Sequence, residues 1–245
     1  MRETHQPREG TFATTQWSVI LAAGSSNRDD ANAALEQLCS AYWRPLFEYA
    51  RRRGIGVEDA ADWTQAFFAD LLTRGTVQRA DAQRGRFRTF LLTAFQRFLS
   101  NERDRSTALK RGGSRSIISI DQLQGESAVA LHPADYETPE AAFERSWATT
   151  LLARVLDLLR TQMIERGRGE VFDRCRDCLL GAPVDSCASI AASMGLTESA
   201  IKVAIHRMRQ EYRDLLFREV RQTLSDESEL EDEMRHLLSV VQSSR

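Results

Sequence analysis

Residues 189–212 read SIAASMGLTESAIKVAIHRMRQEY, and their spacing describes two short helices joined by a tight turn. Ile190, Ala191 and Met194 give the first helix an apolar face, Gly195 stands where a turn needs a residue tolerant of positive φ, and Leu196 plugs the turn. Thr197 is a good N-cap, Glu198 and Ser199 follow in the first turn of the second helix, and Ile201, Ile205 and Met208 recur at i, i+4 and i+7. One face of that helix is therefore buried. The other carries Lys202, His206, Arg207 and Arg209, the arrangement a recognition helix needs to meet base edges with its N-terminal part and neutralise phosphates along its flanks. The same spacing also suits an amphipathic helical hairpin with a solvated basic side.

Charge along the rest of the chain bears on that choice. The 245 residues are 42% hydrophobic, enough for ordinary globular cores, and the formal net charge is only −2, which argues against a uniformly cationic nucleic-acid binder. The charge is segregated instead. Between Arg74 and Arg115 eleven cations face three acids, a local net charge of +8, whereas the C-terminal tail is acidic. No apolar run approaches the roughly 20 residues needed to span a bilayer, and MRETHQPREG has no apolar signal core, so a cytoplasmic protein without membrane insertion is expected.

Four cysteines in a chain of this size are expected as free thiols. Cys175 and Cys178 form a CxxC with Cys187 nearby, which raises the question of zinc, but no second CxxC or HxxxH completes a site. VFDRCRDCLLG reads instead as a helix with Val171, Cys175, Cys178 and Leu179 on one face, and cysteine is a small buried apolar residue more often than a ligand. No metal, cofactor or catalytic residue is expected.

The pattern is helical throughout, without strand alternation or repeats. Residues 12–23 read as a short helix within an N-terminal extension, 1–30. From Ala31 the positions Leu35, Leu38, Tyr42, Leu46 and Tyr49 repeat at helical spacing, with Pro45 expected to kink or split the helix. Val57 to Arg74 follows as a helix with Trp63, Phe67, Leu71 and Leu72 suited to a core; its early acids Glu58, Asp59 and Asp62 complement the macrodipole more simply than they suggest catalysis. After a polar loop, GRFRTFLLTAFQRFLSNERDR mixes Phe87, Phe90, Phe95 and Phe98 with Arg86, Arg88, Arg97, Arg103 and Arg105, a combination that binds single strands by base stacking and phosphate neutralisation. Leu91, Leu92, Phe95 and Leu99 are expected to form its buried side, leaving one or two phenylalanines near the start for bases.

Periodicity then dissolves over 107–138, a Gly- and Pro-punctuated linker that marks a domain boundary. It resumes where Thr138-Pro139-Glu140 combines an N-cap with proline at the first helical position, and continues through Phe143, Trp147, Leu151, Leu152, Val155 and Leu159. The expected fold is all-α: a helical domain over 31–106, a flexible linker, a second domain over 139–224 containing the helix-turn-helix, and a tail over 225–245. That tail places six acids, Asp226 to Glu233, ahead of Met234, Leu237, Leu238, Val240 and Val241. An amphipathic helix with a macrodipole-matched start fits this order, and its apolar side needs a surface to land on. It could cap the second domain, cover cationic DNA-binding surface, or dock a partner.

In this order the motifs resemble those of bacterial RNA polymerase sigma factors of the extracytoplasmic-function group. The stretch from Ile190 to Arg209 is similar to the family's promoter-binding pattern, DAADWTQAFF (59–68) to its polymerase-clamp helix, and FRTFLLTAFQRFL to its promoter-melting segment. YWRPLFEYARRRG, KRGG and the terminal RHLL are similar to a long-tailed subgroup associated with planctomycete-like genomes. The resemblance implies a binding protein with no active site, directed at core RNA polymerase (β and β′ subunits) and promoter DNA, with room for an anti-sigma factor or other regulator. It places upstream-element contacts at Thr197, Glu198, Ser199, Lys202, Val203, His206, Arg207 and Arg209, melting contacts at Arg86, Phe87, Arg88, Phe90 and Arg97, and polymerase contacts at Asp59, Asp62, Gln65 and Phe68. The chain departs from common family choices at Val203-Ala204, where relatives carry Ser-Arg, at Phe90 for Trp, and at Arg97 for Asn. The alternative is a stand-alone helix-turn-helix regulator whose first domain senses a ligand or dimerises, which would need paired half-sites.

Overall fold

A computed structural model describes residues 28–73, 86–112, 137–179, 186–224 and 226–243. Every regular element among them is helical: α1 (Arg28–Arg52), α2 (Val57–Thr73), α3 (Phe87–Gly112), α4 (Pro139–Glu165), α5 (Gly169–Leu179), α6 (Cys187–Met194), α7 (Glu198–Arg221), a 3-10 turn (Glu227–Glu229) and α8 (Leu230–Gln242). The helix expected over 12–23, the loop over 75–85 and most of the expected linker lie outside the described residues.

The starts of the helices follow from local chemistry. Thr138 accepts a hydrogen bond from the Ala141 amide and Pro139 opens α4, so a donor that would have lacked a partner is satisfied and another is absent by construction. Capping of this kind stabilises a helix by about 1 kcal/mol. α1 runs through Pro45 as one helix rather than two, with Pro45 buried among Tyr42, Leu46 and Tyr49. Packing on both sides of the proline outweighs the single hydrogen bond it removes.

α4 is the central element, packing on α1, α5, α7 and α8, while α2 packs on α1 and α3 on α2. A single apolar cluster runs from Leu38, Tyr42, Phe67, Phe87 and Phe95 to Phe143, Trp147, Leu159, Phe172, Ile201 and Leu237. Helices before and after residues 113–136 therefore share a core. Two polar bonds reinforce that contact, the Tyr49 hydroxyl of α1 and the Gln96 amide of α3 each donating to Glu140 on α4 at 3.4 Å.

The aromatic side of α3 is internal. Phe87, Leu91, Phe95 and Leu99, spaced by four, form one buried stripe, and the Phe95 ring meets Phe67 edge-on at 5.0 Å between centroids. Burying each large side chain contributes about 1.5–3 kcal/mol, so this stripe is a substantial part of the first half's packing energy.

Candidate nucleic-acid interface

The second helix of the opening stretch begins in well-defined geometry. Gly195 ends α6 at φ 65°, its own amide bonding back to α6 carbonyls, and Leu196 donates to the Ala191 carbonyl at 2.9 Å. A side chain at 195 would find open space, so the demand for glycine comes from backbone conformation alone. Thr197 then accepts from the Ala200 amide at 3.2 Å and starts α7. Ile201, Ile205 and Met208 are buried against Ile190, Ala191 and the rest of the core.

What α7 leaves outside is a compact mixed surface. Thr197, Glu198 and Ser199 are exposed at its start, followed by Lys202, Val203, His206 and Arg207. Val203, 48% exposed, puts an apolar branched side chain between the cations. Lys202 is engaged by Glu198 one turn earlier, Nζ to Oε1 at 2.6 Å, and this bond holds the lysine above its usual pKa range. Arg209 differs from its neighbours because its Nη2 donates to the Cys178 carbonyl at 2.8 Å, bracing α7 against the end of α5.

The aromatic and basic residues at the start of α3 are arranged otherwise. Phe87 is fully buried, edge-on to Tyr42 at 5.4 Å, and its amide donates to the Thr223 carbonyl at 3.2 Å. Arg88 is only 3% exposed. The expectation that these two side chains face nucleic acid does not hold in this conformation: Phe87 continues the i+4 stripe of the core, and Arg88 is enclosed by acids from two other helices. Phe90 and Arg86 are half-buried, and Arg97 is exposed.

The surroundings of Arg88 form a charge network. Its Nε donates to both carboxylate oxygens of Glu144 on α4, at 3.0 and 2.8 Å, and its guanidinium carbon sits 4.5 Å from the Trp147 ring centroid. Its Nη1 meets Glu233 of α8, whose other oxygen lies 2.9 Å from Nε of Arg86. His236, one turn along α8, places Nε2 3.1 Å from Glu144. Burial pushes Arg88 below its usual range while Glu144 pulls it back up. Glu233 is completely buried, yet neither of its oxygens nor Arg88 Nη1 has a hydrogen bond of acceptable angle, although charge-to-charge contact is close. The Glu233 carboxylate is thus flanked by two guanidinium groups, one at each oxygen.

On α2, Asp59, Asp62 and Gln65 share the exposed side, while Phe68 is 3% exposed and packs edge-on against Phe67. Phe68 belongs to the core and offers no docking surface, because α2 turns its aromatic pair toward α3. A cleft of about 590 Å³ separates α1 from α4, lined by Arg44, Arg145, Ser146 and Arg154 among others. Two of its cations are offset, Arg145 by Glu137 at 2.8 Å and Arg154 by Glu219 at 3.0 Å.

Cys175 and Cys178 are buried and Cys187 half-buried, all as free thiols, and burial raises the Cys175 pKa. Among the described residues no three His, Cys, Asp or Glu side chains gather as a metal site, and no helix is long and apolar enough to cross a membrane.

The sites expected from sequence thus separate. Residues 197–207 form one exposed face, the acids of α2 form another, and the α3 cations are partly covered. Glu144 and Glu233 were not anticipated as partners of Arg88, nor His236 as a partner of Glu144. The only local signal was the i, i+4 spacing of Glu233 with Leu237, which puts the acid on the buried side of α8. No protein-family model, curated protein or solved structure matches the chain.

Proposed function

We propose that the chain is a promoter-specificity subunit of bacterial RNA polymerase, a sigma factor of the extracytoplasmic-function type. The observation that carries this reading is the α6–Gly195–α7 pair, two helices joined by a tight turn, with one face buried and Lys202, Val203, His206 and Arg207 exposed on the other. That face suits a major groove: the cations neutralise phosphate or reach acceptors on base edges, and Val203 supplies an apolar contact of the kind a thymine methyl accepts. The Asp59, Asp62 and Gln65 side of α2 is the candidate contact with core polymerase, in keeping with the resemblance of residues 59–68. Phe90 and Arg97 are the α3 residues placed to meet an opened strand. Work on this reading is binding, with strand opening offset by base capture at a few kcal/mol per unstacked step.

The test is whether the full chain co-elutes with core polymerase and directs initiation from a promoter that core alone ignores. The core shared by α1 and α4 favours a second reading, a self-contained regulator. It predicts duplex binding without polymerase, at paired half-sites.

A further inference from the structure

α8 sits on α4 and α7 with Leu237 fully buried and Leu230, Met234, Val240 and Val241 half-buried, an apolar stripe of little more than three turns. Packing alone explains those residues, but not Glu233. Moving a carboxylate out of water costs several kcal/mol, and close counter-charge is needed to offset that cost; here Arg86 and Arg88 supply it, one at each carboxylate oxygen. An apolar residue at 233 would pack on α4 and α7 equally well, but would take a counter-charge away from Arg86 and from the buried Arg88. What Glu233 does supply is an anion placed between the guanidinium groups of Arg86 and Arg88, the position a phosphate would take between two arginines. Asp226, Glu227, Glu231 and Asp232 remain exposed on the same tail, so its outer side repels a polyanion.

We infer that Arg86 and Arg88 form a binding site for the phosphodiester backbone of single-stranded DNA, and that Glu233 of α8 occupies this site as an internal competitor until α8 lifts away. This rests on the proposed function, whose α3 segment it regulates. The closed state leaves the α7 face exposed and covers the α3 cations, so duplex recognition and strand capture are separately controlled. Release of α8 costs its apolar contacts, and the strand, or a partner that takes up the Leu237 side of the helix, offsets them. An affinity measured on the closed protein is lowered by the fraction of molecules that are open.

The experiment uses the full chain and its Glu233→Gln variant with a fluorescent single-stranded oligonucleotide, read by anisotropy across a salt series. The variant should bind about tenfold more tightly at moderate salt, as expected when a closed state holding about nine-tenths of the molecules is lost. Its log–log salt slope should match that of the unaltered chain, because both make the same two phosphate contacts once α8 has lifted. Hydrogen exchange on the unaltered chain supplies a readout that survives misfolding of the variant: saturation with the oligonucleotide should remove protection from residues 230–242. Equal affinity in a folded variant, or α8 protection retained in the DNA-bound chain, would overturn the inference while leaving DNA binding intact. Failure of both proteins to bind any oligonucleotide, single-stranded or duplex, would instead remove the functional reading on which the inference depends.

Discussion

Arg209 and Cys178 are joined by a hydrogen bond of 2.8 Å from guanidinium to backbone carbonyl, so a cation of α7 is committed to holding the end of α5. Cys178 lies in the last turn of α5, where carbonyls have no intrahelical donor and the macrodipole favours a cation. Arg209→Ala should therefore destabilise the fold by about 1.5–3 kcal/mol, the range for a hydrogen bond involving a charged group. Urea denaturation measures this. A phosphate-contacting role alone would leave the midpoint unchanged and lower only DNA affinity.

Lys202 and Glu198 illustrate a competition on the exposed side of the same helix. Lys202→Ala or Arg207→Ala should weaken binding to a cognate duplex by about 1–3 kcal/mol, with relaxed base preference wherever the lost contact was to a base. Glu198→Gln removes the lysine's internal partner and should tighten binding to duplexes of any sequence. Anisotropy titrations on matched and scrambled duplexes distinguish the effects.

Phe87 and Phe90 are three residues apart, but only Phe87 is fully buried. Phe87→Ala should cost about 3–5 kcal/mol of stability, visible in a thermal melt. Phe90→Ala should cost less, because its ring already has some exposure, and should reduce open-complex formation on a promoter while closed binding persists. Permanganate footprinting of unpaired thymines reads that step, and unchanged reactivity in the Phe90 variant would remove it from strand capture.

Asp173 is held below the usual aspartate range, first by its hydrogen bond from Arg160 at 2.9 Å, while Asp226 is lowered by bonds from Ser228. A folded-state pKa below the unfolded one means that stability is present above the unfolded value and is lost as pH falls through the folded one. Both contributions should therefore be intact at neutral pH and fade below about pH 4. Asp173→Asn should flatten the acid limb of a stability-versus-pH curve and leave its slope near pH 7 unchanged. Both groups are solvent-exposed, so the change in the curve is expected to be small.

Helix identity was legible locally because it depends on signals only a few residues apart. The Thr138-Pro139 start, the Gly195 turn with its Thr197 cap, and the four-residue spacing of Ile201, Ile205 and Met208 are each written within one or two turns. The buried face of α4 followed from the same periodicity, as did the burial of Cys175 and Cys178. The first turn of α3 was harder. Extending its stripe back by one step of four puts Phe87 in the core, but an aromatic flanked by arginines at a helix start looks equally suited to solvent until a neighbouring surface is known.

Tertiary structure alone decided the environment of Arg88. Its enclosure depends on Glu144 from α4 and Glu233 from α8, groups brought to one point only after α4 has become the common support for α1, α7 and α8. A buried charge is tolerated only beside its counter-charge, and the spacing that puts Glu233 on the buried side of α8 carries no information about which cation it meets there. Periodicity determined which face of each helix is apolar; the order in which those faces meet determined that one acid of the tail lies over the cations of α3.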